Sequence, residues 1–178
     1  MKTSLLATAI LASLATAQVD LAPAIIDKPI VLDSKNFYGT VLDLETQTLI
    51  GDKAWFIEFY APWCPHCQHL EPIWDTLYLE TKETLKVARV DCTSAEGRPM
   101  CKHFEVKGYP TILYFPVGQR TYHKYHGHRQ LEDFKRWISE EGWKDEEAKD
   151  VESNKSTIEE YYPTTNAILT ALHDTFLG

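Results

Sequence analysis

Ala54-Trp55-Phe56-Ile57-Glu58-Phe59-Tyr60-Ala61-Pro62-Trp63-Cys64-Pro65-His66-Cys67 is the stretch on which the fold turns. Its first seven residues are a near-continuous β-prone run, the pattern of a central strand buried on both faces. Glu58 alone interrupts that run. After Ala61-Pro62-Trp63, apolar residues at Leu70, Ile73, Trp74 and Leu77 recur at helical spacing. A helix therefore begins at about Cys64, with Pro65 suited to its first turn. Pro72 falls in the interior, where the missing N–H and the ring are expected to kink it.

Outward from this unit, Pro29 to Leu42 reads as a short strand and helix, with Asp33 or Ser34 as the N-cap. Gly51-Asp52 marks a turn. Leu85 to Val90 reads as a second central strand, followed by a short helix from about Pro99 to Phe104. Thr111 to Phe115 and Thr121 to Tyr125 flank Pro116-Val117-Gly118-Gln119, a loop of hairpin length, so they should pair antiparallel. Leu131, Phe134, Trp137 and Ile138 define the inward stripe of a last helix ending at Gly142. The order β-α-β-α-β-β-α from Ala54 predicts an α/β sheet with helices on both faces.

A chain of 178 residues, 44% hydrophobic and 12% aromatic, fits one globular domain with its own core. A formal charge of -8 and a pI near 5.3 argue against nucleic acid or an anionic membrane as the main partner. Lys2, the apolar run Leu5 to Leu14 and Ala15-Thr16-Ala17 form the pattern of a secretory signal peptide. The chain then divides into a signal peptide at 1–17, an N-terminal extension at 18–28, the folded domain at 29–143 and an acidic C-terminal tail at 144–178. No transmembrane segment is expected after the signal peptide. Asn154-Lys155-Ser156 is a glycosylation candidate, and Ala167 to Leu177 has the spacing of a short amphipathic helix. His173 to Gly178 contains no retrieval tetrapeptide. The endoplasmic reticulum lumen is the leading location, with secretion or another endomembrane compartment as alternatives.

The Cys64–Cys67 spacing at a helix start has a chemical reading. Partial positive charge and unsatisfied amides at the helix N-terminus favour a thiolate at Cys64, and Cys67 returns one turn later to bond with it. Cys64 should attack and Cys67 should resolve. Pro65 and His66 then tune the redox poise, His66 by adding ring hydrogen-bond donors near the Cys64 sulfur. Two other readings compete with redox chemistry: a purely structural Cys64–Cys67 disulfide, and a zinc site drawing on His66, His69, Cys92, Cys101 or His103. The zinc reading lacks a second close pair of ligands. His123, His126 and His128 lie on a strand and turn with no matching carboxylate, so no metal and no organic cofactor is implied.

Phe59 to Cys67, together with Gly108-Tyr109-Pro110-Thr111 downstream, resembles a protein disulfide isomerase catalytic domain over roughly Pro29 to Trp143. The resemblance implies a thioredoxin fold, a central mixed β-sheet flanked by helices on both faces. It differs inside the active site, where that eukaryotic family usually has Gly-His and this chain has Pro65-His66, the pair found in DsbA. The resemblance further implies that Glu58 exchanges a proton with Cys67 and that Tyr109–Pro110 is a cis peptide facing the active cysteines. Trp63, Tyr109 and Pro110 would bind substrate, Arg129 would swing toward Cys67, and Cys92 and Cys101 would form a structural disulfide. A Cys92–Cys101 pair relaying electrons is the alternative for the last. The implied partners are unfolded or thiol-containing client proteins and a thiol or oxidase redox partner such as glutathione. The rival from another class is a non-catalytic thioredoxin-fold chaperone or adaptor.

Overall fold

The protein's structure, a computed structural model, describes residues 27–43 and 46–151. The signal-peptide segment, Asn154 and the 167–177 segment lie outside the described residues. Among the described residues, no helix is long and apolar enough to cross a membrane.

Among the described residues ten elements follow one another: β1 (Ile30–Val31), β2 (Trp55–Tyr60), α1 (Pro65–Thr81), β3 (Lys86–Asp91), α2 (Arg98–His103), β4 (Thr111–Phe115), β5 (Thr121–Lys124), α3 (Leu131–Ser139), a 3-10 turn (Gly142–Asp145) and β6 (Ala148–Asp150). The strands form one sheet in the order β1-β3-β2-β4-β5-β6. β2 lies inside it, parallel to β3 and antiparallel to β4, which explains why its sequence is apolar on both faces. This is the mixed sheet implied by the resemblance.

Strand alternation sorts the core into two layers. Trp55, Ile57 and Phe59 face a cluster with Leu32, Phe37, Met100 and Phe104, on the side covered by α2. Phe56 faces the other way, among Leu70, Trp74 and Leu77 of α1 and Phe134 of α3. Its ring lies 5.1 Å from that of Trp74 and 5.6 Å from that of Phe134, distances favourable for aromatic pairs. Glu58 shares the parity of Phe56, so the strand's one carboxylate is directed toward α1. α1 continues across Pro72 without a break.

Three expectations change. Residues 34–37 form turns rather than a helix. The Asp33 side chain accepts the Lys35 and Asn36 amides at 2.7 and 3.1 Å, as an N-cap would, but the backbone at Gly39 is left-handed (φ 86°) and no helix propagates. α3 ends at Ser139, ahead of Gly142, with the left-handed residue supplied by Glu141. Gly142 serves a different purpose: a Cβ there would lie 2.5 Å from Trp137 Cδ1, so the close approach requires glycine.

The fold also runs past Trp143, where the acidic tail was expected to begin. β6 pairs antiparallel with β5, and Val151 is 1% exposed within the core, its N–H donating to the Arg120 carbonyl at 2.9 Å. β6 is exposed along its length and is held by backbone pairing, so its charged sequence carries no strand signature.

Cys92 and Cys101 are joined by a disulfide. Both are buried in the α2-side core, which favours a structural bridge over an electron relay needing an exposed sulfur. Replacing both by Ala is expected to lower the free energy of unfolding by about 2–3 kcal/mol through the loss of loop closure. The midpoint of chemical denaturation checks this.

Candidate active site

Cys64 is the N-cap of α1, with Pro65 as the first helical residue. The sequence places a thiol where helices otherwise prefer a side-chain oxygen, because the first amides of a helix lack intrahelical acceptors. In the dithiol form the Cys67 N–H closes the first turn on the Cys64 carbonyl at 3.0 Å, while the Cys64 thiol donates to the Tyr109 carbonyl at 3.6 Å. The sulfur thus lies beside the Cys67 and His66 amides without a formed cap bond. The thiolate is the form that gains them. The Cys67 amide, then the Cys67 thiol and the His66 amide, and finally the Arg129 charge, hold the Cys64 thiol below its usual range against the opposing effect of burial.

Cys67 behaves oppositely. Burial, aided by the neighbouring Cys64 and the Glu58 charge, pushes its thiol up to about 12. The two free thiols are therefore unlike: one is prepared to ionise and the other holds its proton.

Glu58 is 1% exposed and lines a cavity of about 180 Å³ together with Cys67, Glu71 and Arg89. Burial raises its carboxyl to about 7, against the opposing charge and hydrogen bond of Arg89. The carboxylate is not unpartnered, as a lone Glu in an apolar strand suggests. The parallel β2–β3 register sets Arg89 opposite Glu58, and Arg89 Nε donates to Glu58 Oε2 at 3.0 Å. Glu58 Oε1, by contrast, has no hydrogen-bond partner among the described residues, so the atom is available to a proton from Cys67. Arg89 also lies 3.6 Å from Glu71 and 3.4 Å from Asp75. It thereby links the buried acid to carboxylates on α1.

The other predicted residues divide between two places. Tyr109–Pro110 is cis, and Tyr109 packs edge-on to Trp63 with ring centroids 6.0 Å apart. Trp63 is 67% exposed beside Cys64, and Pro65 and His66 are exposed on the same turn. Arg129 is bonded to the Pro110 carbonyl at 3.3 Å, and its charge acts on Cys64. In this dithiol arrangement it is engaged beside Tyr109 rather than at Cys67. The His66 backbone N–H favours the Cys64 thiolate. The zinc reading loses Cys92 and Cys101 to their disulfide. His123 is buried against the Trp143 ring at 5.2 Å, apart from the exposed His126 and His128.

The thioredoxin family matches residues 28–140 of the chain. The chain belongs to the thioredoxin family. This thioredoxin-family chain is 32% identical over 146 residues to protein disulfide isomerase-like 2-1 of Oryza sativa subsp. japonica, covering 82% of itself and 38% of that protein. It is 40% identical over 97 residues to the thioredoxin domain-containing protein 5 homolog of Drosophila melanogaster, covering 53% and 23%. Among solved structures it matches the first thioredoxin domain of mouse protein disulfide-isomerase A4 at 32% identity and a TM-score of 0.50, covering 62% of this chain and 72% of that one. The chain spans less than half the length of these two curated relatives.

Arg89 is the residue of this thioredoxin-family site that sequence reading missed. A signal was present. Val87-Ala88-Arg89-Val90 is interrupted by one charge just as the neighbouring strand is interrupted by Glu58, and two opposite charges in adjacent buried strands each need a partner.

Proposed function

We propose that this chain catalyses thiol–disulfide exchange on proteins of the secretory pathway, with Cys64 as nucleophile and Cys67 as resolving thiol. The observation that carries the proposal is the placement of the two thiols: Cys64 at the N-cap of α1 with its thiol on the Tyr109 carbonyl, and Cys67 one turn on, lining a cavity with buried Glu58. In the oxidising direction, a client thiolate attacks Cys64 of the Cys64–Cys67 disulfide, and a second client thiol displaces Cys64 from the mixed disulfide. In the reducing or isomerising direction, the Cys64 thiolate attacks a client disulfide, and Cys67, giving its proton to Glu58, releases the client. Arg129 favours the Cys64 thiolate in the dithiol form, and in our reading it moves to Cys67 as that thiol ionises. Exposed Trp63, packed on Tyr109, supplies apolar contact for unfolded clients.

The endoplasmic reticulum lumen is the compartment we assign. The signal-like N-terminus, the Cys92–Cys101 bridge and the protein disulfide isomerases among the relatives support it. Glutathione or a thiol oxidase would restore the active pair to its working state.

Recovery of activity from scrambled ribonuclease tests the reading. Wild-type protein should accelerate recovery several-fold over buffer, and the Cys64→Ser, Cys67→Ser double variant should not. Equal rescue by the double variant would replace catalysis with passive chaperoning.

A further inference from the structure

Beside the reactive thiol, a second cavity of about 320 Å³ opens between the start of β4 and the residues after β5. Tyr109, Pro110, Lys124, His126 and Arg129 are among the residues that line it. Tyr109 is also the residue whose carbonyl accepts the Cys64 thiol, so the cavity begins next to the reacting sulfur. Among the described residues no carboxylate lines it, and neither Lys124 nor Arg129 is in an ion pair with Asp or Glu. Lys124, Arg129 and His126 thus line one concavity in a chain whose formal charge is -8.

We infer that this cavity is a carboxylate-binding subsite which selects thiol and disulfide substrates carrying negative charge close to the reacting sulfur. The inference rests on the exchange reading above and adds a specificity to it. A bound carboxylate would meet Lys124 as a point charge and Arg129 as a fork of donors, the second already anchored on the Pro110 carbonyl.

For an anionic disulfide R–S–S–R the step balances as follows. The Cys64 thiolate attacks one sulfur, forming Cys64–S–S–R and releasing R–S⁻. Cys67 loses its proton to Glu58 and attacks Cys64 Sγ, forming the Cys64–Cys67 disulfide and releasing the second R–S⁻. The protein dithiol is oxidised by two electrons, and the substrate disulfide is reduced to two thiolates. The carboxylate takes no part in bond making, and Lys124 keeps hold of it when Arg129 turns to Cys67.

The test compares the rates at which reduced protein attacks 3,3′-dithiodipropionate, cystamine and neutral bis(2-hydroxyethyl) disulfide. Each rate is divided by that of dithiothreitol attacking the same compound, which removes differences in leaving group. The anionic-to-cationic ratio should be about 10 or more at low salt and should fall toward 1 as screening increases. Lys124→Glu should lower the ratio about tenfold. Lys149→Glu, the same charge change on β6 outside the cavity, should preserve it. A wild-type ratio of 1 would overturn the subsite alone, as would an equal fall in the two variants, which would mean that net charge sets the ratio. Failure to react with even the neutral probe would overturn the exchange reading and the subsite with it.

Discussion

Cys64→Ser is expected to reduce the rate of disulfide exchange on the order of 10³-fold or more while the protein stays folded. A serine hydroxyl does not ionise near neutral pH, so the helix start that favours a thiolate has no nucleophile to act on. The same position explains why the fold should survive: residue 64 is the N-cap of α1, and serine is a preferred N-cap. Thermal stability should therefore be unchanged or slightly raised, which separates loss of chemistry from loss of structure. Cys67→Ser should behave differently, because it keeps the nucleophile and loses only the release step. Mixed disulfides between Cys64 and client should accumulate and be visible by mass spectrometry under non-reducing conditions. Retention of a tenth or more of wild-type insulin reduction by Cys64→Ser would contradict the assignment.

Glu58→Gln should make the protein more stable at pH 8, by up to about 3 kcal/mol, and slower. A glutamate titrates near 4.5 when unperturbed and at about 7 in this fold. At pH values below 4.5 both the folded and unfolded chains hold the proton, and the group costs nothing. As pH rises between the two values the unfolded chain releases its proton first, so stability falls. Above about 7 the full cost of the buried carboxylate is present, and the difference between the two values corresponds to about 3 kcal/mol. Glutamine removes that cost while Glu71 and Asp75 remain near Arg89. Denaturant unfolding at pH 8 and pH 4 should show a stabilised variant at the first pH and little difference at the second. Turnover should drop about 10²-fold, the ordinary size of a lost general base. A variant destabilised at pH 8 would mean that the Glu58–Arg89 pair stabilises the fold more than burial of the carboxylate costs.

These residues also mark how far the sequence could be read. β2 and the start of α1 were legible because their signals are local: an unbroken β-prone run, then apolar spacing of a helical period. Glu58 stood out because it broke that run. Its partner did not, because Arg89 lies 31 positions away and meets it only through strand register. The turn at residues 34–37 shows a local signal with two outcomes, since Asp33 caps a turn with the same hydrogen bonds that would start a helix. β6 shows the reverse case. An exposed edge strand gains its stability from the backbone of β5 and the anchor at Val151, neither of which leaves a pattern in Ala148-Lys149-Asp150. The hydrogen bond of Arg129 to Pro110 joins residues 19 positions apart and leaves no local pattern in the sequence.

The central claim is that the start of α1 stabilises the Cys64 thiolate and so makes the Cys64–Cys67 pair an active exchange centre. Thiolate stabilisation favours the reduced form, which makes the disulfide the stronger oxidant. The equilibrium potential of this pair against glutathione, read from the fraction of protein with both thiols free, tests that directly. The account predicts a value between about −200 and −120 mV, clearly above the roughly −270 mV of thioredoxin. A potential at or below that of thioredoxin, or a pair that does not equilibrate with glutathione, would contradict it.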